Sequence, residues 1–144
     1  MGLAWQGIVV FVLDVFAAFA PRLRPHATVI DVSTIGPRAL AEAVALLPQG
    51  TNVIDAPVMG SADRAASGEL TLLVGGDTAG FEDILNTFGT VTRAGAPGTG
   101  AALKIVMIVA VAVAVAAVHA TISAHPEAAD DDLGQIVTRL RDGE

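Results

Sequence analysis

Ten residues of this 144-residue chain place a lysine where it could move a proton: Gly95-Ala-Pro-Gly98-Thr-Gly100-Ala-Ala-Leu-Lys104. An apolar run of helical composition follows, so Lys104 falls just inside the start of a helix that opens at a glycine-rich turn. Glycines leave room for a ligand or another backbone to approach. Helix N–H groups beside such a turn attract anions. The same helix end disfavours a nearby ammonium, which moves a lysine pKa toward usable acid–base values. The chemistry implied is proton transfer on a small anionic substrate. The plainer reading of the same residues is a turn followed by an exposed first-turn lysine.

Two upstream stretches carry polar groups at comparable places. Asp31-Val-Ser33-Thr34 follows a strand-like segment and precedes a helix-like one. Open α/β sheets bind ligands at the carboxyl ends of their strands, where Ser33 and Thr34 could hydrogen-bond a cofactor ribose or amide. Ser, Thr and Asp also serve ordinary turns and caps. Asp55-Ala-Pro-Val-Met59-Gly60-Ser61 likewise ends a strand-like segment. Pro57 fixes the exit path, and Gly60 and Ser61 offer an N–H and a hydroxyl that suit a carboxylate, or simply connect two elements.

Other chemistries lack their residues. The histidines, His26, His119 and His125, form no HxxxH or HExxH pattern, and there is no cysteine, so a metal site is not expected. In a helix His119 would lie roughly 22 Å beyond Lys104. A G-x-S-x-G elbow, a P-loop and a G-x-G-x-x-G fingerprint are all absent. The net charge of −7 argues against a nucleic-acid partner. Residues 1–7 lack the basic start of a signal peptide, and the expectation is a cytoplasmic protein.

The elements that must position these groups alternate along the chain, which predicts an α/β fold. Residues 8–13 (IVVFVL) read as a buried strand and 15–23 as a helix that stops at Arg22, Arg24 and Pro25. Strands are predicted over 27–32, 52–56, 69–74 and 90–93. Pro37 opens a helix to about residue 47, and Asp77 or Thr78 caps another that runs to residue 88. Beyond Gly100 only helix is predicted: one long apolar run, then a short amphipathic helix over 130–141.

Residues 105–124 are long enough to cross a bilayer. His119, Thr121 and Ser123 near their end, the alanine–valine content and the lack of flanking aromatics favour instead a helix buried in a soluble fold or a dimer interface.

Taken in order, the three motifs resemble the β-hydroxyacid dehydrogenase family, which includes 3-hydroxyisobutyrate dehydrogenase and, more distantly, 6-phosphogluconate dehydrogenase and the imine reductases. The matching residues are Asp31-Val-Ser-Thr-Ile-Gly-Pro37, then Asp55 to Ser61 with Ala65-Ala-Ser-Gly-Glu-Leu-Thr-Leu-Leu-Val-Gly-Gly76, then Gly95-x-x-Gly98-x-Gly100-x-x-x-Lys104.

The resemblance implies residues 1–98 as the C-terminal part of a Rossmann-like domain. It implies residues 99–144 as a helical tail, the remnant of an all-helical dimerisation domain. It implies hydride transfer between NAD or NADP and a small β-hydroxy acid, with Lys104 as catalytic acid–base, Ser33 and Thr34 on the cofactor, and Met59, Gly60 and Ser61 on the substrate carboxylate. A homodimer through the apolar helix is the implied assembly.

There are departures from the family pattern. The glycine fingerprint is missing, and the chain is expected to start at the family's fourth or fifth strand. The Ser-Gly-Gly of the substrate loop is Met59-Gly60-Ser61, and the asparagine one turn after the lysine is Met107 or Ile108. These departures describe a shortened relative. Its alternatives are a non-catalytic dimerising α/β module that binds a small acid, or a chain anchored in a membrane by residues 105–124.

Overall fold

The computed structural model describes residues 2–124, with side chains from residue 7 onward. The terminal helix expected over 130–141 lies outside the described residues. Packing divides the chain into two units, Met1–Ile105 and Val106–Glu144.

The first unit opens with a helix, α1 (Gly2–Phe19), where a strand was expected over 8–13. The run IVVFVL is compatible with either state when taken alone. What decides is the longer spacing: Val9, Val12, Leu13, Phe16, Phe19 and Ala20 are the better-covered positions, while Ile8, Val10, Phe11 and Val15 are exposed. That is one face of a 3.6-residue repeat, not a two-residue alternation. Phe16 is buried, its ring 5.1 Å from that of Phe19. A 3₁₀ turn with Pro21 near its start (Ala20–Arg22) ends the helix, so the first strand of the chain comes only afterwards.

That strand, β1 (Thr28–Asp31), and β2 (Asn52–Asp55) pair in parallel with Thr28, Val29, Ile30 and Asp31 opposite Asn52, Val53, Ile54 and Asp55. The sequences TVID and NVID are therefore in register, and two aspartates stand side by side at the carboxyl ends. A parallel pair needs a crossover, and α2 (Gly36–Val44) supplies it, with Pro37 in its first turn. The helix stops short of residue 47 because the amides of Leu46 and Leu47 bond three residues back, to Ala43 and Val44, and Pro48 follows.

β4 (Leu70–Gly75) sits inside the sheet, antiparallel to β3 (Val58–Met59) and parallel to β5 (Gly89–Gly95). It meets β2 at a single pairing, Asp55 with Gly75. Burial on both faces accounts for its apolar run Leu72–Val74, and Leu70, Leu72 and Val74 form a core with Ile54, Ala56 and Leu85.

Two short elements fill what reads as plain loop in the sequence. They are β3 and α3 (Ala62–Ser67), the latter capped by Ser61, whose hydroxyl accepts the Arg64 amide at 3.4 Å, and closed by Gly68 at φ 71°.

α4 (Glu82–Phe88) begins later than Asp77 or Thr78 would have it. Those side chains are used in the preceding turn. Asp77 accepts the Ala79 amide at 3.0 Å, and the Glu82 carboxylate reaches back to the Gly80 amide at 2.9 Å. The last described element, α5, runs Thr99–Ala124. Val106, Val109, Val111 and Val113, within the second unit, are exposed.

Candidate active site at the start of helix α5

The glycine-rich turn before α5 is built around a carboxylate of the protein itself. Asp55, at the end of β2, is 1% exposed. Its Oδ1 accepts the Gly98 amide and its Oδ2 the Ala101 amide, each at 2.7 Å. Gly98 has no side chain to cap the helix, and Asp55 fills the cap position from a neighbouring strand.

Gly75 and Gly100 are explained by the same contact. A Cβ on Gly100 would run into the Leu73 carbonyl and stand 2.8 Å from Asp55 Oδ2, and one on Gly75 would stand 2.5 Å from Asp55 Oδ1 and 2.6 Å from the Ala96 carbonyl. The close approach that glycine permits here is therefore backbone against carboxylate. The anion-attracting end of α5 is already occupied by this carboxylate.

Lys104 lies one turn into the helix. Its Nζ donates to the Val58 carbonyl at 2.7 Å, three residues after Asp55. Burial lowers its pKa below the ordinary lysine value. The direction is the one read from the sequence, but the cause is desolvation: the Asp55 carboxylate faces the helix end whose positive pole was expected to act.

The Val58 contact brings Lys104 to the loop of Met59, Gly60 and Ser61. Gly60 has φ 142°, and a Cβ there would stand 2.7 Å from Leu70 Cδ2, so glycine is required. Its N–H and the exposed Ser61 lie on the loop that starts from the carbonyl holding Lys104, although Ser61 Oγ is partly engaged with the Arg64 amide.

Ser33 and Thr34 follow β1 on the other side of the α5 start. The Ser33 amide and hydroxyl both donate to the Asp31 carboxylate, at 3.1 and 2.9 Å. The Ser33 oxygen thus remains an acceptor while its proton is committed. Their loop packs on α5: Ile35 joins Ala39, Leu40 and Ala101 in one buried cluster, and a Cβ on Gly36 would lie 3.7 Å from Ile105. Beside Ser33 opens a cavity of about 290 Å³, lined by apolar residues such as Phe16, Phe19 and Val29 along with Asp31. Among the described residues no group of His, Asp and Glu could hold a metal ion.

All three sequence motifs thus converge on the first turn and a half of one helix. The residue that sequence reading left without a role is Asp55. Its signal was present as an acid at a strand end, with glycines at 75 and 100 whose Cβ positions lie against it.

Residues 11–109 match the family of the NAD binding domain of 6-phosphogluconate dehydrogenase. The chain belongs to that family. Family membership makes NAD(P) the cofactor implied by resemblance. An L-threonate dehydrogenase of Cupriavidus necator is 36% identical over 128 residues, 83% of this chain and 43% of that protein. The solved 3-hydroxyisobutyrate dehydrogenase of Mycobacterium tuberculosis with L-serine superposes with a TM-score of 0.76 at 26% identity, over 86% of this chain and 44% of that one. A structure named Psf3 in complex with NADP+ and 2-OPP superposes at 0.60 with 29% identity, over 72% of this chain and 38% of that one. The chain spans less than half the length of the curated relatives it matches. The Rossmann-like α/β assignment agrees with these neighbours, and the relatives are named dehydrogenases and oxidoreductases.

Proposed function

We propose that this chain carries the proton-transfer half of a 3-hydroxyisobutyrate dehydrogenase type of active site acting on a small β-hydroxy acid. What supports this reading is that Val58, just before the Met59–Ser61 loop, accepts Lys104, while Ile35 and Gly36, just after Ser33 and Thr34, pack on the start of α5. Lys104 in its neutral form takes the proton of the substrate hydroxyl, and in the reverse direction its ammonium returns it. Gly60 and Ser61 bind the substrate carboxylate. Bound NAD(P) supplies the hydride acceptor.

The described residues fit one end of that cofactor. Ser33 and Thr34 can hold its ribose or carboxamide. The α5 N-terminus is filled by Asp55, and no G-x-G-x-x-G turn is available for a pyrophosphate. This favours a second reading as well, a non-catalytic dimerising α/β module that binds small acids.

The deciding assay follows reduction of NAD+ or NADP+ by the chain with 3-hydroxyisobutyrate, L-threonate and L-serine. Turnover with one of them supports the enzyme. Binding of the acid by NMR without turnover at millimolar cofactor supports the module. NADPH affinity is expected to be weaker than micromolar, and titration calorimetry giving a micromolar Kd would refute this.

In the same proposal, residues 99–144 form a helical tail, and the apolar helix pairs two copies in the cytoplasm. The most apolar stretch of α5 has a mean hydropathy of 2.7, with 6% of its residues buried, so its surface needs a partner. Light scattering without detergent should give twice the 14.6 kDa chain mass. A chain that pellets with membranes and dissolves only in detergent would support the anchored alternative instead.

A further inference from the structure

Lys104 and the start of its helix are held by a single four-residue segment. Asp55 binds the Gly98 and Ala101 amides through its two carboxylate oxygens, and Val58 accepts the Lys104 ammonium through its carbonyl. The segment between them is stiff. The Ala56 amide donates to the Asp31 carbonyl at 2.7 Å, Pro57 has a fixed φ, and its carbonyl accepts the Leu73 amide at 3.0 Å. Helix and lysine are therefore referenced to the same strand end at two points.

We infer that Asp55 is a positioning residue for Lys104: by capping α5 from β2 it fixes how far along the Val58–Gly60 loop the lysine reaches. The inference rests on Lys104 being the proton-transfer group, but the geometry it concerns can be measured without turnover. Both oxygens face N–H donors, so an amide cannot replace the carboxylate. Asparagine would keep one of these bonds through its oxygen but turn an NH₂ toward the other backbone donor, leaving that N–H and the NH₂ without an acceptor.

Lys104 is the only lysine in the chain. Protein labelled with 13C-lysine therefore gives one Cε resonance whose titration reports this amine alone. The wild-type midpoint should lie below 10.5. In Asp55→Asn the first turn of α5 loosens, the amine becomes hydrated, and the midpoint should move up toward that ordinary value. A charge effect without positioning has the opposite sign, because removing a neighbouring carboxylate disfavours the ammonium. A midpoint that falls or stays in place in the folded variant overturns the inference.

If Asp55→Asn does not fold, the wild type decides. The Gly98 and Ala101 amides should exchange with solvent about ten- to a hundredfold more slowly than unstructured amides, as expected for bonds to a charged acceptor. Exchange at the unstructured rate overturns the inference. Should Lys104→Met leave turnover intact, the catalytic reading fails while these two measurements still stand on their own. An unmoved Lys104 midpoint beside an inactive Lys104→Met fails the positioning role alone.

Discussion

Lys104→Met should lower kcat for the proposed oxidation of a small hydroxy acid by about 10²- to 10⁴-fold, the contribution of one well-placed acid–base group, with a much smaller change in KM. Methionine matches the side chain up to its last atom and loses the group that exchanges a proton. The wild-type oxidation rate should rise with pH until Lys104 is neutral, and its residual activity in the variant should lose that dependence. An unchanged kcat would remove Lys104 from the chemistry.

The same substitution makes a separate statement about stability. Burial lowers the folded-state pKa of Lys104 below its unfolded value, so between the two values the unfolded chain binds more protons and stability rises with pH. The penalty of the buried ammonium is present in full below the folded pKa and disappears as pH rises past the unfolded one. Methionine has no such penalty at any pH. The difference in Tm between Lys104→Met and wild type should therefore shift in favour of the wild type as pH is raised from 7 to 11. A constant difference would mean that the lysine is not desolvated. A reactive group that is costly to the fold is a common feature of working sites.

Legibility differed by element, for physical reasons. The parallel pair TVID and NVID, the central strand ELTLLV and the crossover helix at Pro37 could all be read because composition, spacing and punctuation agree there. IVVFVL could not, because a short apolar run has no period of its own; only the extension to Phe16 and Phe19 shows the helical face. β3 and α3 were hidden for another reason. Two residues of strand and six of helix are too short to show a period, although Ser61 and Gly68 bracket the helix as cap and stop.

The lysine, the two polar loops and their order were legible. What joins them was not, because a carboxylate that caps a helix from another strand leaves no local pattern. Its trace is negative: glycines at 75 and 100 that no turn requires and that a Cβ would push against Asp55. A glycine whose backbone conformation does not explain it is a pointer to whatever lies against it.

That contact predicts opposite signs for the same substitution at two helical glycines. Gly7 in α1 has nothing within 4 Å of the place its Cβ would take, so Gly7→Ala should stabilise the protein by about 0.5–1 kcal/mol through backbone entropy alone. Gly100→Ala has the same propensity gain available and should still be strongly destabilising. The added methyl would meet the Leu73 carbonyl and lie 2.8 and 2.9 Å from Asp55 Oδ2 and the Asp55 carbonyl oxygen. None of these is the end of a flexible side chain. The Leu73 and Asp55 carbonyls belong to sheet backbone, and the carboxylate is fixed by two amide bonds. Relief has to come from moving α5 away from β2, which stretches the bonds to Gly98 and Ala101 and leaves a buried carboxylate partly unpaired. Overpacking of this kind costs about 1–3 kcal/mol and an unsatisfied buried charge adds to it, against a total stability of about 5–15 kcal/mol for a typical domain. Urea unfolding should show Gly7→Ala above wild type and Gly100→Ala several kcal/mol below it, with the Lys104 resonance displaced in the second variant and unmoved in the first. A Gly100→Ala protein as stable as wild type would mean that the start of α5 is not seated on Asp55.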